Sequence, residues 1–75
     1  MVRVLFFGAT ADAAGVREQV AYAATSRDLI DGLIVDHPKL GDLKLLFSVN
    51  QEYVGHDAKL KDGDEVAIFT AVSGG

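Results

Sequence analysis

Behind Ser73 stand Gly74 and Gly75, the last two residues of the 75-residue sequence, and they are the residues through which a chain end could do chemistry. At about 7% average glycine usage, two adjacent glycines at one fixed position arise by chance roughly once in 200 chains. Without a Cβ, such a tail reaches conformations closed to other residues and passes through channels too narrow for side chains. The α-carboxylate of Gly75 is then an attackable carbon on a thin tether, with Gly74 and Ser73 providing access to it. The competing reading is a frayed terminus, since small residues collect at loose chain ends.

The other chemistry-bearing side chains make weaker constellations. Cysteine is absent, which removes disulfides, thiolate metal sites and a cysteine nucleophile. His37 falls on the apolar stripe of a helical pattern and His56 in a turn-rich stretch beside Asp57, and two histidines without cysteine are too few ligands for a transition-metal site. Asp62, Asp64 and Glu65 cluster, but the alternating ligands of a 12-residue calcium loop are missing, so a solvated turn is expected there. No glycine-rich phosphate loop is present, and ATP is therefore expected to bind a partner rather than this chain. A formal net charge of −4 and a pI near 4.8 argue against a nucleic-acid partner, which demands a basic footprint.

The length allows one domain with one core, spanning residues 1–75, with 72–75 expected as a flexible tail. At 49% hydrophobic residues the chain is of the ordered class. The start, Met1 to Phe7, carries Arg3 inside a short apolar run and lacks the form of a secretory signal. No stretch approaches the roughly 18 apolar residues of a membrane span, and the expected location is cytoplasmic.

The elements that must position the tail follow from periodicity. Val2 to Phe7 is a β-branched and aromatic run closed by Gly8, which suits a strand in the middle of a sheet. Thr10 to Ala14 with Gly15 behind has the shape of a short helix, Thr10 at its start and Gly15 at its C′ position. Val16 to Ala24 alternates as a second strand. Thr25-Ser-Arg-Asp28 opens the one long helical pattern with a hydroxyl cap and an acid three residues on. Leu29, Ile30, Leu33, Ile34 and His37 form its apolar stripe, and Pro38 closes it. Gly32 inside this helix costs about 1 kcal/mol against alanine, so packing compensates or a neighbour approaches closely. Lys44 to Asn50 reads as a third strand, Glu52 to Val54 as its short continuation after a turn, and Glu65 to Val72 as the last strand behind the Asp62-Gly63-Asp64 turn. The order ββαββ implies an α+β fold, a mixed sheet with one main helix packed on one face.

One helix covers one face, yet the first and last strands are apolar on both. Alternation puts Val2, Val4 and Phe6 on one side and Arg3, Leu5 and Phe7 on the other, and likewise separates Val66 and Ile68 from Ala67 and Phe69. If these strands are neighbours, Leu5, Phe7 and Phe69, with Val72 at the base of the tail, form an apolar patch of the kind that marks a partner site. The alternative is that the segment from Lys39 to Phe47 folds over them as additional core.

Val-Arg-Val-Leu-Phe-Phe-Gly at 2–8, Val49-Asn50, and Leu60-Lys-Asp-Gly-Asp-Glu-Val-Ala-Ile-Phe69 leading into Val72-Ser-Gly-Gly75 resemble the small subunit of molybdopterin synthase, the MoaD type of ubiquitin-like sulfur carrier in the MoaD/ThiS family. The resemblance spans nearly the whole chain, and its specific part is Asp-Gly-Asp-Glu-Val joined to a Gly-Gly end. Two departures stand out: Thr70-Ala71 where the family commonly has Pro-Pro, which removes a restriction on φ, and Thr10-Ala-Asp-Ala-Ala in place of a more charged turn.

The resemblance implies the ubiquitin-like β-grasp fold and a non-catalytic, sulfur-donating subunit of a sulfurtransferase complex. Gly75 would be adenylated by an ATP-using enzyme of the ubiquitin-activating kind and converted to a thiocarboxylate. The large subunit of molybdopterin synthase would then use it to put sulfur on cyclic pyranopterin monophosphate in molybdenum cofactor biosynthesis. The chain itself would bind no cofactor or metal. A carrier serving thiamin or another thiolated product, a modifier joined to other proteins through Gly75, and a purely structural interaction module are the competing functions.

Overall fold

The computed structural model describes residues 1–55 and 57–71, in the element order β1 (Val2–Phe6), α1 (Ala9–Ala14), β2 (Glu18–Ala21), α2 (Ser26–Asp36), a 3-10 turn (Pro38–Asp42), β3 (Leu45–Val49), β4 (Glu52–Val54) and β5 (Glu65–Thr70). The strands form one mixed sheet in the order β2-β1-β5-β3-β4. β1 and β5 are parallel neighbours at its centre, and every other pairing is antiparallel. This is the expected α+β architecture with one long helix. Glu52–Val54 proves to be a separate edge strand returning along β3, because Asn50 (φ 50°) and Gln51 (φ 72°) turn the chain back as a tight hairpin.

The core lies between the sheet and α2. Val2, Val4 and Phe6 from β1, Phe47 from β3, and Val66 and Ile68 from β5 meet Leu29, Ile30 and Leu33 of α2 in one cluster. Leu40 of the 3-10 turn joins the same cluster with no exposed surface. The segment from Lys39 onward therefore packs on the helix side and leaves the other face of the sheet open.

Local chemistry explains the element ends. The Thr25 hydroxyl accepts from the Asp28 N–H at 3.1 Å and caps α2. Ser26, 1% exposed, donates to the Gly55 carbonyl at 2.8 Å and accepts from the Ala58 N–H at 3.0 Å, tying that cap to the crossing loop. Gly15 takes the left-handed C-cap of α1, and Gly63 holds φ 89° in the turn before β5. Thr10 does not cap α1. Gly8 occupies that position with φ 58°, and Thr10 is buried two residues further on, inside the first turn, with its hydroxyl engaged elsewhere. At Gly32 an added Cβ would meet nothing within 4 Å, so no close approach accounts for that glycine. No helix among the described residues is long and apolar enough to cross a membrane.

Candidate functional site

The strand that leads toward the tail is the most firmly held in the sheet. β5 is paired with β1 from Arg3↔Glu65 to Phe6↔Ile68 on one side and with β3 from Leu45↔Thr70 to Val49↔Val66 on the other. Because β1 and β5 run parallel, the end of β5 emerges beside Phe6 and Phe7, and the Phe7 N–H donates to the Ile68 carbonyl at 3.0 Å. Thr10 locks this corner. Its hydroxyl accepts from the Phe7 N–H at 2.9 Å and lies within donating distance of the Phe7 carbonyl (2.7 Å) and the Ile68 carbonyl (2.9 Å). A buried hydroxyl with these partners fixes the relation between the two strand ends. Val72, Ser73, Gly74 and Gly75, which carry the tail chemistry expected from the sequence, lie outside the described residues.

The face that α2 leaves uncovered carries Leu5, Phe7 and Phe69, as alternation requires. Phe7 is 52% exposed, while Leu5 and Phe69 are half-buried. The register adds side chains that sequence reasoning did not single out. Leu46 lies opposite Phe69, and Tyr53 opposite Ser48 on the same face. The Tyr53 ring meets Phe69 edge-on, with centroids 5.7 Å apart. Val20 lies opposite Arg3 at the β2 edge. Parity along each strand was the available signal for Leu46, Val20 and Tyr53, but it acquires meaning only when the strand order is known.

This open face has two unlike ends. Beside the β5 exit it is apolar, with Phe7, Phe69, Leu46 and Tyr53. At the far end Arg3 bonds through Nε to Glu18 and through Nη1 to Glu65 at 3.4 Å. The hydrogen bond that Arg3 donates to Glu18, and that carboxylate's negative charge, hold the Arg3 guanidinium above its ordinary pKa. Leu5, Phe7, Gly8, Ala11, Asp12 and Arg17 border a shallow cleft of about 640 Å³ at the apolar end.

The remaining polar candidates are structural. Asp64 accepts from the Lys61 N–H at 2.8 Å and from Asn50 Nδ2 at 3.0 Å, and these bonds lower its carboxyl below the usual range. Asp62 pairs with the Met1 amino group. His37 Nε2 is 2.8 Å from Gln19 Oε1, and its ring stands edge-on to Phe6. His56 lies outside the described residues, and no cluster of metal-ligating side chains occurs among those described.

A mixed sheet gripping one long helix, with its last strand at the centre beside an open apolar face, defines the ubiquitin-like β-grasp class. The chain belongs to the ThiS family, whose profile matches residues 4–75. It is 42% identical over 81 residues to the molybdopterin synthase sulfur carrier subunit of Chlamydomonas reinhardtii, covering 99% of this chain and 98% of that protein. The protein of the same name from Escherichia coli (strain K12) is 38% identical over 81 residues, with full coverage of both. Among solved structures, the small archaeal modifier protein 1 of Haloferax volcanii superposes with a TM-score of 0.80 at 29% identity, over 99% of this chain and 98% of that one.

Proposed function

We propose that this chain is the sulfur-carrying small subunit of a molybdopterin synthase, with Gly75 as the reacting residue. The observation that carries the reading is the 42% identity, over nearly the whole of both chains, to a sulfur carrier subunit of that enzyme. The geometry supplies the physical rationale. The central strand β5 ends at Thr70 beside the corner that Thr10 locks, and any four residues, even fully extended, reach no farther than about 14 Å. The carboxylate can therefore enter a partner's active site only when the globular body is docked close by. Phe7, Phe69 and Leu5, exposed or half-buried beside the β5 exit, support docking through this face, which would convert binding into positioning of the reacting end.

A carboxylate is a poor electrophile, so the reading requires activation. An adenylating partner of the ubiquitin-activating kind binds ATP and forms the acyl-adenylate at Gly75 with release of pyrophosphate, and sulfide-level sulfur from a donor then displaces AMP, which carries away one carboxylate oxygen. The large subunit receives the thiocarboxylate and directs its sulfur onto cyclic pyranopterin monophosphate. In this scheme the chain is a reagent without acid, base, metal or cofactor of its own, and it works in the cytoplasm, where ATP is at hand.

The test is intact-mass analysis after incubation with cell extract, ATP and a sulfide source. Exchange of one oxygen for sulfur in the C-terminal peptide is the expected result. Deletion of Gly75 abolishes that exchange while leaving the thermal melt unchanged, and retained exchange would sink the assignment. A second reading, a modifier joined to other proteins through Gly75, is favoured by the likeness to the archaeal modifier. It predicts higher-mass conjugates in place of the sulfur exchange.

A further inference from the structure

Away from the open face, the outer edge of β2 and the adjoining side of α2 enclose a groove of about 240 Å³, bordered by Gln19 to Tyr22 and by Asp28, Leu29, Gly32, Leu33 and Asp36. That volume is below the roughly 300–1,000 Å³ of small-molecule sites, and suits one or two side chains of a longer ligand.

The edge is chemically open. No described strand lies beyond β2 in the sheet. The Phe6 N–H donates to the Arg17 carbonyl at 2.9 Å, which makes that pair a hydrogen-bonded one. In an antiparallel ladder such pairs alternate, so Gln19 and Ala21 bond inward to Val4 and Val2. The N–H and C=O groups of Glu18 and Val20 consequently point out of the sheet, ready for another strand. Gln19 and Ala21, opposite the core residues Val4 and Val2, are the β2 residues on the α2 side, while Val20, 52% exposed, belongs to the open face at the same edge.

The helix side supplies the selectivity. Asp28 and Asp36 stand eight positions apart on α2, about 12 Å at 1.5 Å per residue. Neither takes part in an ion pair among the described residues. Midway between them is Gly32, where a Cβ would meet nothing, so a gap opens between Leu29 and Leu33. The five residues from i to i+4 of an extended segment span about 13 Å, and i, i+2 and i+4 share one face.

We infer that the β2–α2 groove takes an extended segment of a partner protein, added as a further strand along β2, with basic residues at i and i+4 and an apolar residue at i+2. Main-chain bonds to Glu18 and Val20 provide the attachment, Asp28 and Asp36 take the two cations, and the apolar side chain fills the gap over Gly32. The same occupancy accounts for a glycine in the middle of α2 that the chain's own packing does not require.

The test is amide-shift mapping on the isotopically labelled full chain titrated with the peptide acetyl-Gly-Lys-Thr-Leu-Thr-Arg-Gly-amide. Shifts are expected at 18–22 and 28–36. The double variant Asp28→Asn, Asp36→Asn binds about tenfold more weakly, through loss of two exposed ion pairs. Gly32→Leu fills the gap and blocks binding, and its melting temperature is no lower than the parent's, because leucine is the better helix former. The inference is overturned by silence at those amides, by equal binding of a peptide with glutamates in place of Lys and Arg, or by shifts confined to Leu5, Phe7 and Phe69. Concentration-dependent shifts at 18–22 without peptide would assign the edge to a second copy instead.

Discussion

Val4 and Leu5 are neighbours in sequence, yet Val4 has no exposed surface beneath α2, while Leu5 is half-buried on the face that α2 leaves open. The same division runs across β1 and β5, where Phe6 is 3% exposed and Phe7 52%, and Ile68 is buried while Phe69 is not. One face of the sheet supplies the burial that holds the fold, and the other retains exposed apolar surface. A two-residue period lets a 75-residue chain build both on the same strands.

Core truncation is the severest way to probe this division. Leu33→Ala removes a side chain that is 1% exposed and packs in the cluster beneath the sheet, and is expected to lower unfolding stability by about 2–5 kcal/mol in urea titrations. On the open face Phe7→Ala should leave stability within about 0.5 kcal/mol. The same substitution should weaken binding to the large subunit by about 2 kcal/mol, roughly 30-fold by calorimetry, as expected for an aromatic anchor. Equal stability losses from the two substitutions would erase the distinction between the faces.

The smallest effect concerns the turn that feeds β5 and belongs to neither face. The Asp64 carboxyl is held below its ordinary pKa, first by the Lys61 N–H and then by Asn50. A depressed folded-state value gives stability that is present above the unfolded pKa of about 3.9 and lost as pH falls through the folded value. The urea midpoint of Asp64→Asn should therefore lie below that of the parent near pH 6 and converge with it in acid. A constant gap across that range would show that Asp64 acts by packing rather than by charge.

Local physics made much of this legible in the sequence. The Thr25 cap, the positive φ of Gly63, the Gly15 helix end and the parity of Val2, Val4 and Phe6 each depend on residues within a turn or a strand. Leu5, Phe7 and Phe69 were found the same way. What escaped depends on partners distant in sequence. Tyr53 joins the open face because β4 folds back on β3, and Val20 because β2 registers with β1. Thr10 shows the two scales in competition. A hydroxyl before a run of alanines has the look of a cap, but the carbonyls of Phe7 and Ile68 hold that hydroxyl, and Ile68 is 58 residues away.

The parallel pairing of β1 with β5 has a consequence for how the chain is made. Arg3 and Glu65 are 62 residues apart, and the first strand keeps an empty place beside it until nearly the whole chain has left the ribosome. Contacts of such range form late. A chain broken off before β5 lacks the centre of its sheet as well as its tail, and presents neither Phe69 nor the corner that Thr10 locks. The last strand thus completes the sheet and the corner together: a chain that stops before Glu65 builds neither.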